Sequence, residues 1–262
     1  MLRSLRIAAL GMTAQQLNVD TIANNLANVN TTGYKKNAVE FQDLLYENIN
    51  LGAAESDSKT AQPLGLQVGL GNRPVSTYRS FSQGALAETG NPLDLCINGN
   101  GFMQILRADG SVAYTRDGTL RINSEGYIVT SSGLKLYPEI VMPEGVSGIN
   151  IGQNGVISVS YEDEREPEEI GQIELVSFIN PAGLKAIGGN LYTDTDSSGE
   201  ANFGYPGEEG YGTIIQGYLE KSNVDIVQEM INLIVAQRAY EINSKAIKTS
   251  DELLAIANQI KR

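Results

Sequence analysis

The sequence predicts a mixed α and β protein, with N- and C-terminal helices forming a coiled-coil-like bundle and a β-rich domain between them. Three observations carry this expectation. Apolar residues recur every seven positions near both ends, whereas the middle alternates with a period of two and shows turn signals about every ten residues. Glycine (28 residues) and tyrosine (12, against 5 phenylalanines) are abundant, which suits tight turns and half-buried sheet.

In chain order, residues 1–36 read as the first helix. Leu5, Met12, Val19 and Leu26 form one heptad row, with Leu2, Ala9, Gln16 and Ala23 beside it, and Gly33 suits a C-cap. Residues 37–75 read as an extended arm, small and polar from Asn48 to Gly65 around Pro63. Residues 76–204 read as the β-rich domain. There Asp117-Gly118 separates Val112–Arg116 from Thr119–Asn123, Ser124-Glu125-Gly126 leads into Tyr127–Thr130, and Asn154-Gly155 precedes Val156–Ser160, which together predict a meander. The glycine-rich stretch Gly199 to Gly212 leads into a return linker at 205–221. Residues 222–262 close the chain as the second helix, with N-cap candidates Ser222, Asn223 and Asp225 and neither Gly nor Pro from Asn223 to Arg262. Its seam is Ile226, Leu233, Tyr240, Ile247 and Leu254, with Met230 beside it. The companion row is small or polar: Glu229, Ala236, Asn243, Ser250 and Ala257.

These two helices either pack on each other inside an ordinary domain or need further copies. The narrow seams bury little apolar surface relative to the backbone that must be ordered, which favours the second arrangement. The interface candidates are therefore Leu5, Met12, Val19, Leu26, Ile226, Met230, Leu233, Tyr240, Ile247 and Leu254.

A formal charge of -12 argues against nucleic-acid binding and against direct insertion into an anionic membrane, since both favour basic surfaces. Cys96 is the single cysteine and sits in the apolar run Leu93 to Ile97, so it reads as a small core residue. The apolar run Ile7 to Leu10 after Arg3 and Arg6 is too short for a signal-peptide core, so export without a cleaved signal is expected. Chemical motifs are poor. Gly69-Leu70-Gly71 has Pro74 where a third glycine belongs. Asp194, Asp196, Ser198 and Gly199 open like a calcium loop but meet Tyr205 at the bidentate position. The acidic run Glu162 to Glu169 reads as a solvated hairpin tip, and the absence of histidine excludes Ser-His-Asp and Cys-His chemistry. No cofactor, metal or catalytic activity is expected.

The stretch Ala23-Asn24-Asn25-Leu26-Ala27-Asn28-Val29-Asn30-Thr31-Thr32-Gly33-Tyr34-Lys35 resembles the N-terminal signature of the flagellar rod and hook family. Ser222-Asn223-Val224-Asp225 and Gln237-Arg238-Ala239-Tyr240-Glu241-Ile242-Asn243-Ser244-Lys245 are similar to its C-terminal end, and Asn98-Gly99-Asn100-Gly101-Phe102 and Tyr114-Thr115-Arg116-Asp117-Gly118 to its middle. The similarity spans nearly the whole chain. It implies a structural subunit in the basal body across the periplasm, whose terminal helices build a hollow helical tube that transmits torque and passes exported subunits. The implied partners are further copies, proximal-rod proteins, the hook protein, surrounding ring proteins and the flagellar export apparatus. Length and the segment Tyr46 to Gly65 are more similar to the distal-rod branch than to the hook branch, with the proximal-rod branch next.

The resemblance also assigns roles with open alternatives. Asn24, Asn25 and Asn28 either set register between neighbours or cap the helix end, beside Thr32, Gly33 and Tyr34 of the same motif. Phe41 and Leu45 match an export motif or form an amphipathic anchor. The arm with Tyr46, Gly52, Pro63 and Gly65 either stiffens the rod between subunits or is a flexible loop. The run Glu162 to Glu169 departs from the family pattern. A different class, a periplasmic protein that binds or cleaves the cell wall with its β-domain and dimerises through its helices, remains the rival reading.

Overall fold

The computed structural model describes residues 2–50, 66–161 and 167–260. Gly52, Pro63 and Gly65, and residues 162–166 of the acidic run, lie outside the described residues. The chain divides into two units, one of residues 1–26, 37–78 and 226–262 and the other of 27–36 and 79–225.

The first unit holds both helices. Helix α1 spans Leu2–Ala27 and α2 spans Ile226–Ile260, the latter 35 residues and so about 52 Å long. They run antiparallel in a constant register: Ser4 Oγ lies 3.4 Å from Ser250 Oγ, Gly11 faces Asn243, and Asn25 Nδ2 donates to Glu229 Oε2 at 3.4 Å. The small and polar companion row of α2 thus faces α1, and Ala236 of that row is buried. A side chain at Gly11 would meet Asn243 Nδ2 at 2.8 Å, so its absence permits the close approach.

Between the helices, β1 (Asn37–Asp43) pairs with β4 (Asn72–Arg79), and β2 (Tyr46–Asn50) with β3 (Leu66–Gly69) in the register Tyr46↔Gly69. The described residues of the arm are therefore paired as a two-stranded ribbon. Gly71, at φ +112, turns it close to Leu10 and Ile7 of α1, and Arg3 pairs with Glu47. Gly33, expected as a C-cap, lies well beyond the end of α1 at Ala27 and instead turns the chain at φ +66.

The second unit is antiparallel sheet. Its first strands are β5 (Leu86–Glu88), β6 (Leu95–Asn98), β7 (Phe102–Leu106), β8 (Val112–Thr115), β9 (Leu120–Ile122) and β10 (Ile128–Thr130). Next come β11 (Lys135–Tyr137), β12 (Val146–Ile151), β13 (Val156–Tyr161), β14 (Glu168–Gln172) and β15 (Leu175–Ser177). The last are β16 (Lys185–Gly188), β17 (Leu191–Thr193), β18 (Asn202–Gly204), β19 (Thr213–Gln216) and β20 (Tyr218–Glu220). The largest sheet runs β16-β17-β8-β7-β11-β10-β9, with β15 also on β7 and β18 on β15. Smaller ones are β12-β13-β14, β6-β19 and β5-β20.

Alternation along β7 and β15 divides their side chains between two cores. Met103, Ile105 and Leu175 enter an aliphatic core with Leu95, Leu136 and Ile157. Phe102 and Val176 enter an aromatic one, where Tyr114 and Phe178 meet edge to face at 4.9 Å.

Asn154-Gly155 turns β12 into β13, and Ser124 to Gly126 turns β9 into β10, as the pattern indicates. Asp117-Gly118 is not a hairpin tip, because β8 pairs with β7 and β17, and β9 with β10. It is a crossing point, where Leu95 N donates to Gly118 O at 3.0 Å and an added Cβ at Gly118 would lie 1.6 Å from Leu95 O. Gly118→Ala is expected to destabilise the β-unit by about 3 kcal/mol, since neither backbone can yield without breaking the crossing. The measurement is the denaturant midpoint of the unit's transition; an unchanged midpoint contradicts this account of the crossing.

Candidate assembly surface

The N-terminal motif ends in a docked strap within the second unit. Thr32 Oγ1 donates to Asp117 Oδ1 at 3.0 Å, Asn190 Nδ2 donates to Thr32 O at 2.9 Å, and Gly33 N donates to Glu220 O at 2.8 Å. Asn190 reaches this point from a left-handed turn at φ 59. Any side chain at Gly33 would meet Asp117 N at 2.9 Å, on top of the strain of its positive φ. Tyr34 is buried beside it.

Lys35 is fully buried and pairs with Glu220 at 2.6 Å, while its ammonium also donates to Ser82 O at 2.8 Å. Glu220 accepts from Gly84 N at 2.8 Å and pairs with Arg116 at 3.5 Å; Arg116 Nη2 donates to Gly99 O at 2.7 Å and its guanidinium lies over the Phe102 ring. Burial holds the Lys35 ammonium below its ordinary pKa, and the Glu220 charge opposes that shift. The C-terminal motif closes on the same place. Asn223 Oδ1 accepts from Lys36 N at 2.8 Å and its Nδ2 donates to Ser80 O at 2.8 Å. Segments nearly two hundred residues apart are thereby pinned side by side.

In the helical unit, Asn25 is buried and exchanges two hydrogen bonds with the backbone of Asn37, at 2.8 Å to its oxygen and 2.9 Å from its nitrogen. Asn24 is exposed and Asn28 half-buried. The seam candidates separate by helix. On α1, Leu5, Met12, Val19 and Leu26 are half-buried; on α2, Leu233, Ile247 and Leu254 are half-buried, while Ile226, Met230 and Tyr240 are exposed.

The heptad reading missed a second row on α2. Val227 (68% exposed), Ile231, Ile234, Val235 (63%) and Ile242 (67%) form an apolar stripe broken by Arg238. The signal available for it was the spacing of 3.6 residues, which drifts away from a strict seven-residue row. Alongside, Gln16, Val19, Gln237, Tyr240 and Glu241 line a cavity of about 330 Å³. The ribbon is also open: Phe41 is 38% exposed, Leu45 86%, and Tyr46, Val75 and Tyr78 are exposed too. Asp117, Arg116, Asn190 and Glu220 were likewise missed as partners of the strap, because nothing in their local pattern ties them to residues 32–35.

This geometry is that of a structural protein, with its N- and C-terminal motifs tied together within the β-rich unit and its long second helix carrying exposed apolar side chains. Three family models match it: "Flagella basal body rod protein" at residues 5–35, "Flagellar hook protein FlgE/F/G D1 domain" at 96–159 and "Flagellar basal body rod FlgEFG protein C-terminal" at 215–260. The chain is 53% identical to the flagellar basal-body rod protein FlgG of Borreliella burgdorferi over 264 residues, covering 100% of each chain. It is 46% identical to that of Caulobacter vibrioides, over 99% of this chain and 100% of the relative, and 39% identical to that of Bacillus subtilis over 100% of each. The chain belongs to the flagellar basal-body rod protein family.

Glu220→Gln leaves Lys35 and Arg116 buried without a counter-charge and is expected to cost about 3–5 kcal/mol. Chemical denaturation checks this. Pairing the change with Lys35→Met should recover a substantial part of the loss, and a fully additive double variant would show that the two side chains do not act as a pair.

Proposed function

We propose that this chain is a structural subunit of the distal rod, polymerising through its helical unit into a hollow helical tube that carries torque to the hook and passes exported subunits. The observation that carries this is the unequal covering of the two helices. Among the described residues, the large apolar side chains of α1 are buried or half-buried, whereas α2 leaves Val227, Ile231, Ile234, Val235 and Ile242 in solvent. A row of this kind is unusual on a soluble monomer and marks a contact surface. A heterologous contact repeated by each added copy builds an open helical filament.

In this reading Ile226, Met230 and Tyr240 join the stripe at the interface, and Leu5, Met12, Val19, Leu26, Leu233, Ile247 and Leu254 support it from within the helix pair. Proximal-rod proteins and the hook protein continue the axis at its two ends, ring proteins surround it, and no reaction is catalysed. The ribbon has two further roles. It presents Phe41 and Leu45 to the export apparatus before folding, and its arm through Tyr46, Gly52, Pro63 and Gly65 bridges neighbouring subunits and resists their sliding.

Two experiments test the proposal. Purified chain should form filaments at raised concentration, seen by light scattering and electron microscopy. Ile234→Asp should leave the thermal midpoint of the monomer nearly unchanged while raising the concentration needed for filaments by roughly tenfold or more. A stable dimer that binds or solubilises peptidoglycan would instead establish the wall-directed reading. Phe41→Ala with Leu45→Ala should lower secretion of the subunit at unchanged cellular level, because both side chains are exposed and contribute little to stability. Secretion equal to the parent's would confine these residues to the ribbon.

A further inference from the structure

An asparagine followed by glycine is prone to lose its side-chain amide, because the next backbone nitrogen attacks the side-chain carbonyl and glycine offers no side chain to hinder it. The chain contains three such pairs, Asn98-Gly99, Asn100-Gly101 and Asn154-Gly155. Two of them are tied down. Gln83 Nε2 donates to Asn98 Oδ1 at 3.3 Å, and Gly99 N donates to Gln83 Oε1 at 3.3 Å. At the turn between β12 and β13, Val156 N donates to Asn154 Oδ1 at 3.3 Å and Gly155 N donates to Gly152 O at 2.9 Å. Asn100 differs from both. It is exposed, and among the described residues its side-chain amide makes no hydrogen bond. Its backbone is nevertheless held, since Gly212 N donates to Asn100 O at 2.7 Å.

Asn100 also stands beside a site that is short of negative charge. Lys35 and Arg116 bring two buried positive charges to the single carboxylate of Glu220. Buried charge is costly until opposite charge and hydrogen bonds replace its water. Arg116 keeps one donor in reserve: Nη1 faces Glu220 and Nη2 donates to Gly99 O at 2.7 Å, while Nε has no partner among the described residues. Gly99 directly precedes Asn100, so the guanidinium is bound one residue away from the free amide. Asn100 and Arg116 line one cavity of about 340 Å³, together with Phe81, Phe102 and Phe178, and Arg116 is the only charged side chain among the described residues that line it.

We propose that Asn100 is a self-modification site: it deamidates spontaneously in the folded chain, and the carboxylate so formed supplies the counter-charge that Arg116 lacks. In the first step Gly101 N attacks Asn100 Cγ. The N–Cγ bond forms, the bond from Cγ to Nδ2 breaks, and ammonia leaves with the proton given up by the glycine nitrogen. Water then opens the cyclic imide at one of its two carbonyls, leaving aspartate or isoaspartate. Either product carries its carboxylate at position 100, in the cavity that Arg116 lines. No enzyme, oxidant or partner is needed, so the conversion advances with the age of the subunit, and it strengthens the β-rich unit where deamidation elsewhere would only add charge to a surface.

The test incubates the full chain in mildly alkaline buffer made with water enriched in heavy oxygen, then maps its peptides by mass spectrometry. Conversion at Asn100 should run roughly tenfold faster than at Asn98 or Asn154, whose hydrogen bonds must break before attack. Each converted residue should carry heavy oxygen from the opening of the imide, and Asn100→Gln should abolish the conversion at that position. A second measurement reads the consequence. Asn100→Asp should lower the unfolding equilibrium constant of the β-rich unit about fivefold in chemical denaturation, whereas Asn154→Asp should not lower it. An Asn100 amide that outlasts the incubation, conversion at Asn98 or Asn154 as fast as at Asn100, or an Asn100→Asp chain no more stable than the parent would each overturn the inference. The proposed rod function stands or falls on other residues and is untouched by these outcomes.

Discussion

One buried carboxylate organises the place where the chain enters and leaves its β-rich unit. Glu220 binds Lys35 from the N-terminal strap, Gly84 N from the segment before β5, and Arg116 from the end of β8, while its own carbonyl receives Gly33 N. A buried carboxylate is tolerable only when opposite charge and hydrogen bonds replace its water. Satisfying that condition requires all these segments at once. The site that neutralises one charge thereby holds residues 33–35 and 220 side by side within the unit.

The helices then divide their surfaces by side-chain size. Close approach of α1 and α2 uses small residues, with Gly11 against Asn243 and Ala236 buried on the same row. Large apolar side chains of α2 cannot all fit so narrow a contact, and the outward ones remain uncovered. A pairing built on small residues thus leaves apolar surface over for another molecule, and this links the internal packing of the helical unit to its proposed role in the rod. Asn25 shows the complementary economy: it is buried and bound to the Asn37 backbone, so it orients the chain as it leaves α1.

The β-rich unit reaches stability by a different route. Strands β7 and β15 are buried on both faces, and each supplies alternate residues to the aliphatic and the aromatic core. Two cores sharing strands cannot be altered independently. This coupling gives a firm body on which a heavily acidic exterior can be carried without loss of fold, since its exposed carboxylates contribute little to the interior.

Local pattern alone determined the helical ends, the β-rich middle, the turns at Ser124 to Gly126 and Asn154-Gly155, and the family to which the chain belongs. Each is written in periodicity, glycine placement or a contiguous motif, which nearest neighbours in sequence already impose. Tertiary structure alone decided the crossing at Gly118, the strap held by Asp117 and Asn190, the burial of Lys35 on Glu220, and which row of α2 stays in solvent. Lys35 and Glu220 are 185 residues apart. No local propensity couples such positions, and a helix drifting at 3.6 residues per turn reveals its free face only after another helix has occupied part of its surface.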